Sequence, residues 1–537
     1  MRRCVPYLSC LIKRKKNSSR KGAKSLFANF FFKDAISECA KSNIIQVFLF
    51  CILICNSTKG NATTYNFDYN SNCNRAYQSY LSLHFADGHG ALLNEAATNP
   101  YNLMATYIAD YEDCIVLLLN CDKEEYKRRE AHMDQRLNLL EQGDHNSPWY
   151  RFTKSGVYLH WALINMRMGD MYHQALYFRK SFLLLKENKK LFPQFEYNAV
   201  FSGLQEAVAG SVPDNYKWLA ALFGIRGSVR KGTSQLEAFV NTHNAAQPLY
   251  AETQLYYLFT RFYLVADQKG VWDYLASSRF STKNNLLTTF VKVNLALDYR
   301  KADAAIETLN AAMAEPEYKN YPVFDYQMGM ALLCKSDTDC TYYFGQYLKK
   351  NKSELFIKDA WQKMAFAWYI AGSMAKAEYC KKQITQQGMA RIDADKQAEK
   401  FGEKNIWPMG KLLQCRYLIE GGYYSQALAV LNSIDKASLT NIADKEEYYF
   451  RMGRIYEETG NSSKALEYYQ YTITTGKNRH EQFAPRAALQ KGRLYEQAGN
   501  NQQAMACYKE CLAMPEHDFQ NSIDNQAKAG LNRVEGK

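Results

Sequence analysis

Apolar and small residues recur at helical spacing along most of the chain, and no long stretch alternates at the two-residue period of a β-strand. The pattern is clearest in residues 446–477, where the positions concerned are Tyr449, Met452, Gly453, Tyr456, Gly460, Ala465 and Tyr469. Small residues let two helices approach closely, aromatic residues fill the seam, and Gly460 can reverse the chain because glycine tolerates positive φ. The pattern therefore predicts two antiparallel helices joined by a tight turn.

A second copy of the pattern begins at Pro485 and has Gly492, Tyr495, Gly499, Ala504 and Tyr508 at the same offsets. These offsets are those of the tetratricopeptide repeat (TPR) signature, W-x2-L-G-x2-Y followed by A-x3-F. Two adjacent copies predict an all-α fold, an α-solenoid of TPR-like antiparallel helix pairs. Residues 518–534 place Ile523, Ala527 and Leu531 on one helical face, which predicts a C-terminal cap helix.

The same patterns divide the chain into five expected parts. They are a leader or signal peptide over 1–62, a linker over 63–74, a divergent helical-repeat region over 75–245, central TPR-like pairs over 246–405, and C-terminal repeats with the cap over 406–537.

The leader carries most of the net charge of +13. Residues 1–62 hold 12 Lys or Arg and two acids, a surplus of +10 that leaves only about +3 for the rest. A nucleic-acid-binding protein should keep its basic excess on the folded domain, so we expect no nucleic-acid partner.

An apolar run over 44–55 follows the basic segment and is too short to span a bilayer comfortably. Gly60 and Ala62 then lie at the −3 and −1 positions of a cut after Ala62, which is typical of a secretory signal peptide. We therefore expect export, with the periplasm as the destination. One alternative is that residues 44–55 stay uncleaved and form an inner-membrane anchor, and we expect membrane attachment by no other segment. The other alternative is that these residues form a buried helix.

Two stretches resemble chemical sites. His84, Asp87 and His89 could bind a metal ion, but no fourth ligand or i, i+4 histidine pair supports the site, so a glycine-rich turn is favoured. Glycines 224, 227 and 232 lie among basic residues but lack the Gly-Lys-Ser/Thr of a phosphate loop, so an ordinary loop is favoured. No C-x-x-C pair is present, and we expect no cofactor.

Residues 193–232 carry a family resemblance. The motif comprises Gly203, Gly210-Ser211-Val212-Pro213, Trp218-Leu219, Phe223-Gly224, Gly227 and Gly232. It resembles the central motif of the tetratricopeptide repeat protein 39 family, a mainly intracellular eukaryotic group that includes the yeast inclusion-body-clearance protein. The chain also resembles uncharacterised exported helical-repeat proteins of Bacteroidetes. Ile225-Arg226 departs from the eukaryotic family, which has Phe-Ser there, and the resemblance implies the fold without a catalytic residue.

Four arginines are the candidate binding residues. Position eight of each repeat is the small residue, which is Cys415, Gly453 or Gly492. Position nine is then an arginine in all three repeats, namely Arg416, Arg454 and Arg493. Position two of the last repeat is Arg486. The resemblance to TPR solenoids implies that positions two, five, nine and twelve line a concave groove. Stacked guanidinium groups suit carboxylates, so an acidic segment of a protein or peptide partner is expected to bind there.

Local neutralisation of these arginines is the favoured interpretation, because such pairs need no ligand. Glu457 follows Arg454 by three residues and Glu496 follows Arg493 by three, so each pair can meet on its own helix. Ile419 occupies the corresponding place after Arg416, which is therefore expected to lack such a partner.

The sequence thus predicts an exported, non-catalytic scaffold that binds proteins at the cell envelope. No nucleophile elbow, paired-carboxylate motif or metal motif is present. The alternatives are an intracellular protein that handles lipids or aggregates, which the eukaryotic resemblance implies, and an enzyme whose site is assembled only in three dimensions.

Overall fold

The structure is a computed structural model that describes residues 64–212 and 224–536. Within these ranges the chain is all-α, with 24 α-helices, and its one extended pairing is an isolated bridge between Asn66 and Asn102. The leader, including residues 44–55, lies outside the described residues, as do Trp218 and Phe223.

Eight helices form the N-terminal region. They are α1 (Ser71–Leu81), α2 (Phe85–Thr98), α3 (Leu103–Asn120), α4 (Lys123–Leu140), α5 (Pro148–Met168), α6 (Met171–Leu191), α7 (Asn198–Gly210) and α8 (Val229–Thr242).

Nine helices form the central region, the first of which continues into a π-helical turn at Thr260–Val265. They are α9 (Tyr250–Phe259), α10 (Gln268–Ala276), α11 (Leu286–Asp298), α12 (Ala302–Ala312), α13 (Pro322–Cys334), α14 (Cys340–Lys350), α15 (Ile357–Ile370), α16 (Met374–Gln386) and α17 (Asp393–Glu403).

Seven helices form the C-terminal region. They are α18 (Gly410–Gly421), α19 (Tyr424–Asn432), α20 (Ile442–Glu458), α21 (Ser462–Gly476), α22 (Phe483–Gln497), α23 (Asn501–Ala513) and α24 (Gln520–Val534).

The two predicted repeats are the helix pairs α20–α21 and α22–α23, each joined by a turn with glycine at positive φ. Gly460 has φ +82° and Gly499 has φ +75°. In each pair the next residue, Asn461 or Asn500, caps the second helix by accepting a hydrogen bond from a backbone N–H. The predicted turn chemistry is confirmed.

The seam inside each repeat is filled by one buried tyrosine. A Cβ atom added to Gly453 would lie 2.7 Å from Cδ1 of Tyr469, which is fully buried. The corresponding pair in the next repeat is Gly492 and Tyr508. The predicted roles of the small and aromatic positions are confirmed here, because no larger side chain fits opposite the ring.

The cap helix α24 closes the C-terminal end of the array. Ile523 and Ala527 are buried, and Leu531 packs against the same apolar cluster. Arg533 forms an ion pair of 2.7 Å with Glu496 of α22. The predicted apolar face of this helix is confirmed.

The N-terminal helices also contact the central region, so the packing extends beyond neighbouring pairs. The hydroxyl of Tyr77 donates to the carboxylate of buried Glu252 at 3.3 Å. Lys123 forms an ion pair of 2.7 Å with Glu354. One apolar cluster runs from Tyr77 in α1 to Phe324 in α13. Nearest-neighbour stacking alone therefore does not describe this region.

The expected linker contains structured residues. Asn66 pairs with the backbone beside Asn102, Phe67 packs against the core, and α1 begins at Ser71 rather than near Arg75. Asn70 caps α1 by accepting from the N–H of Cys73 at 3.1 Å, which accounts for the earlier start.

In the described part of the chain no helix combines the length and the apolarity that crossing a membrane requires.

We expect Glu446 to make folding stability depend on pH. Its side chain is fully buried, Oε1 accepts from the N–H of Ala484 at 2.8 Å, and burial raises its pKa from 4.5 to about 7. The folded state binds this proton more tightly, so the stabilisation is complete below about pH 4.5 and is lost as the pH rises through about 7. The Glu446→Gln variant cannot ionise at this position. As the pH rises, its free energy of unfolding should therefore fall less than that of the wild type, by up to roughly 3 kcal/mol.

Urea denaturation of both proteins between pH 5 and pH 8 measures this difference. Asp395, whose pKa burial also raises to about 7, is unchanged in both and cancels from the comparison. Parallel pH profiles for the two proteins would show that Glu446 does not titrate in this range.

Candidate protein-binding face

The four candidate arginines lie on the first helices of the last three pairs. Arg416 is on α18, Arg454 is on α20, and Arg486 and Arg493 are on α22. These helices pack directly on one another in that order. The side chains are half-buried, and Arg451 of α20 lies close enough to influence the charge of Arg486. We call these five residues the arginine face.

Arg416 has a carboxylate partner, contrary to the prediction. Its Nε donates to Oε1 of Glu420 at 3.0 Å, and Glu420 raises the pKa of the guanidinium. The partner lies four residues on, one place beyond Ile419, and a helix brings i and i+4 together as well as i and i+3.

Arg454 is locally neutralised, as the favoured interpretation predicted. It donates to Glu457 at 2.6 Å and also to Glu458. Burial is the largest single influence and opposes its charge, but Glu457, Tyr469 and Glu458 together outweigh burial and raise the pKa of the guanidinium. Glu458 binds a second cation, Arg300, at 2.7 Å.

Arg493 does not pair with Glu496, so the prediction of that pair is wrong. Glu496 is held instead by Arg533 at 2.7 Å and by the hydroxyl of Tyr508 at 2.5 Å. Arg493 donates to two neutral amides, Gln490 at 2.9 Å and Gln526 at 2.8 Å. Burial lowers its pKa because these amides supply no negative charge.

Arg486 forms no ion pair with any carboxylate in the described residues. It lies 5.5 Å above the ring of Phe519, and its Nε is buried without a hydrogen-bond partner. Burial, and then the positive charges of three neighbouring arginines, lowers its pKa to about 10. Those neighbours are Arg451, Arg416 and Arg454. The side chain stays charged at pH 7 in a place where positive charge is unfavourable.

Position five of the repeats does not line the face, contrary to what the resemblance implied. Leu412, Phe450 and Leu489 hold that position, and all three are buried. Apolar side chains at this position belong to the seams between helices. The charged residues of the face hold positions two, six, nine, twelve and thirteen, the last of which supplies Glu420 and Glu458.

Sequence analysis missed two contributors to the site. Arg451 forms an ion pair of 2.6 Å with Glu447, an i, i+4 spacing that could have been found. Arg300 reaches the face from the turn after α11, where it has φ +61°. No local pattern indicates that contact, because 158 residues separate Arg300 from Glu458.

The favoured glycine-rich turn is wrong for most of this stretch, because α2 begins at Phe85 and contains Asp87 and His89, and only residues 82–84 form a turn. The three suspected metal ligands are not brought together. His89 pairs with Glu112 at 2.5 Å, Asp87 is exposed in the first turn of α2, and His84 faces a different segment. Lys231, from the suspected phosphate loop, forms an ion pair of 3.0 Å with Glu206.

Comparison with known proteins supports the repeat assignment. Residues 446–470 and 485–518 match the family model described as "Tetratricopeptide repeat". The comparison with curated proteins yields no relative.

Two solved structures are similar at low identity. The APC/C hetero-tetramer Cut9-Hcn1 has a chain with 10% identity and a TM-score of 0.24, covering 86% of this chain and 95% of its own. The Naa15/Naa10 structure bound to HypK-THB has one with 13% identity and a TM-score of 0.19, covering 87% of this chain and 73% of its own.

Proposed function

We propose that this chain, whose last repeats are of the tetratricopeptide type, is an exported, non-catalytic scaffold. Its arginine face binds a carboxylate-bearing segment of a partner protein. Helical-repeat arrays of this type are protein-interaction folds, because their stacked helices display long continuous surfaces. The partner class and the location are the parts that we propose.

Arg486 carries the proposal. Its charge is disfavoured by burial and by three like charges, and Glu420 offsets only part of this effect. Among the described residues no carboxylate forms an ion pair with Arg486, and its buried Nε has no hydrogen-bond partner. A bound carboxylate would supply the missing negative charge and accept hydrogen bonds from the guanidinium fork. Binding would therefore stabilise a cation that the free protein holds at a cost.

The charge balance of the face favours a short acidic segment over a polyanion. Glu420, Glu447 and Glu457 lie among the arginines and already hold three of them. A nucleic-acid backbone would bring phosphates against these glutamates, whereas one or two carboxylates can reach Arg486 and Arg493 alone.

Affinity capture from the native host tests this proposal. The double variant Arg486→Ala/Arg493→Ala should lose the protein that the wild type retains. The matched control is Lys445→Ala/Lys509→Ala, which removes the same two positive charges from exposed positions on the same repeats and should retain the protein. Equal retention by both variants would refute the assignment of the face.

Export makes a separate prediction. We expect the mature protein to begin just after Ala62, because the preceding basic, apolar and small-residue segments have the order of a secretory signal. N-terminal sequencing of the native protein checks this. A protein that still begins at Met1 would refute export by this route without affecting the arginine face.

A further inference from the structure

His84 lies against two glutamates from a distant part of the chain. Its Nε2 is 3.7 Å from Oε2 of Glu315 and 3.9 Å from Oε2 of Glu317. The three potential ligand atoms all lie within 4.8 Å of one another. His84 belongs to the turn between α1 and α2, and the glutamates belong to the turn after α12, so the cluster joins the N-terminal and central regions.

Both turns are fixed by backbone hydrogen bonds. The N–H of His84 donates to the carbonyl of Ser79 at 2.8 Å, and buried Leu83 precedes it with φ +67°. The N–H of Glu315 donates to the carbonyl of Ala312 at 3.0 Å, and the carbonyl of Glu317 accepts from Asn320 at 2.9 Å. The fold therefore brings the three side chains together independently of any ion.

The charge of the cluster is unbalanced. In the described ranges, neither glutamate forms an ion pair with a lysine or arginine, and His84 is the basic group that faces both. The side chains are between a fifth and a third exposed, so they are partly desolvated yet accessible from solvent. Tyr321, beside Glu317, is buried and neutral, since burial raises its pKa.

One neighbouring carboxylate, Glu112, is already paired. Glu112 also influences Tyr321, but it is held by His89 at 2.5 Å and by Arg129 at 3.0 Å. That pairing supplies no positive charge to Glu315 or Glu317. Two carboxylates and one imidazole thus converge, and no lysine or arginine of the described residues forms an ion pair with either carboxylate.

The geometry points to a divalent transition-metal site, formed by His84, Glu315 and Glu317, that takes Zn²⁺. One imidazole nitrogen and two carboxylate oxygens are a ligand set that suits zinc. In a tetrahedral site with bonds of about 2.0–2.2 Å, two ligand atoms on one ion are about 3.3–3.6 Å apart. The two nitrogen-to-oxygen distances, 3.7 and 3.9 Å, exceed that separation by a few tenths of an ångström, and all three atoms lie within 4.8 Å of one another. Rotations of the three partly exposed side chains would bring the atoms onto one ion.

Such an ion would connect the N-terminal helices to the central pairs. His84 is separated from Glu315 by 231 residues, so the ion would cross-link distant segments and oppose their separation. Water would complete the coordination. The site does not depend on the arginine face, so the two proposals can fail separately.

The test is metal binding by the full chain after chelator dialysis, with Co²⁺ as a spectroscopic probe and Zn²⁺ in competition with a chromophoric chelator. We expect one equivalent of Co²⁺ to give the visible bands of nitrogen and oxygen ligation without a thiolate charge-transfer band. Zn²⁺ should displace it and raise the melting temperature. The thiolate band matters because the described region contains nine buried cysteines that could compete.

The variants make the test specific. Glu315→Gln/Glu317→Gln preserves side-chain size and should weaken Zn²⁺ binding at least 10-fold, and His84→Gln should act similarly. His89→Gln is the matched control, since His89 is a nearby paired histidine, and it should bind zinc like the wild type. Absence of stoichiometric binding, a thiolate band, or unchanged affinity in both site variants would overturn the proposal.

Discussion

Replacing Tyr508 by alanine is expected to lower the free energy of unfolding by about 3–5 kcal/mol. The ring is fully buried between two helices. A Cβ atom on Gly492 would lie 2.5 Å from Cε1, and one on Gly530 would lie 2.5 Å from Cζ. Tyr508 therefore packs between the two helices of the last repeat and also against the cap helix. The alanine substitution would leave a cavity that the neighbouring glycines, which have no side chains, cannot fill.

Urea denaturation, with hydrogen exchange to localise the loss to α22–α24, measures this effect. Tyr508→Phe keeps the ring and removes only the hydroxyl that donates to Glu496, so it should cost about 1 kcal/mol. Tyr471→Ala, at a site 44% exposed, controls for loss of a tyrosine on the same repeats. A Tyr508→Ala protein no less stable than Tyr471→Ala would contradict the packing described here.

The second large effect is a loss of affinity for the partner when Arg486 and Arg493 are replaced by alanine. Arg486 and Arg493 have no carboxylate partner in the described structure, so Arg486→Ala/Arg493→Ala should remove hydrogen bonds that only a partner completes. Each charge-assisted bond is worth about 1.5–3 kcal/mol, or roughly 10- to 100-fold in affinity. Titration calorimetry with the acidic segment of a captured partner measures the loss.

Arg416→Ala/Arg454→Ala is the informative comparison. It removes the same charge, but Glu420 and Glu457 already engage these guanidinium groups, so the loss of affinity should be clearly smaller. Circular dichroism of both variants checks that the helices remain. Equal losses would mean that the face attracts its partner by overall charge rather than through Arg486 and Arg493.

The C-terminal repeats could be predicted because their signature is local. Gly453, Gly460 and Tyr469 each meet a requirement set within one helix pair, namely close approach, reversal of the chain and filling of the seam. The structure meets those requirements with the same residues. A periodic pattern is sufficient when every important contact lies within about 30 residues.

The candidate site could be predicted only in part, for the same reason. The positions of Arg416, Arg454, Arg486 and Arg493 on first helices follow from the repeat. Their partners do not, because Glu496 is bound by Arg533 of the cap helix and Glu458 by Arg300 of the central region. The competition between distant groups decides which arginines remain unpaired.

Contacts of the N-terminal region had no sequence signal at all. His84 is close in sequence to Asp87 and His89, whereas its neighbours in space are Glu315 and Glu317. The contact of Tyr77 with Glu252 likewise joins helices about 175 residues apart. Such pairings follow from tertiary packing, which periodicity does not encode.

The central claim is that Arg486 receives a partner carboxylate. The most direct measurement is a structure of the full chain in complex with a captured partner. We expect a carboxylate oxygen of that partner at about 2.7–2.9 Å from a guanidinium nitrogen of Arg486. A partner bound elsewhere on the array, with the guanidinium still over Phe519 and contacting no carboxylate, would contradict the claim.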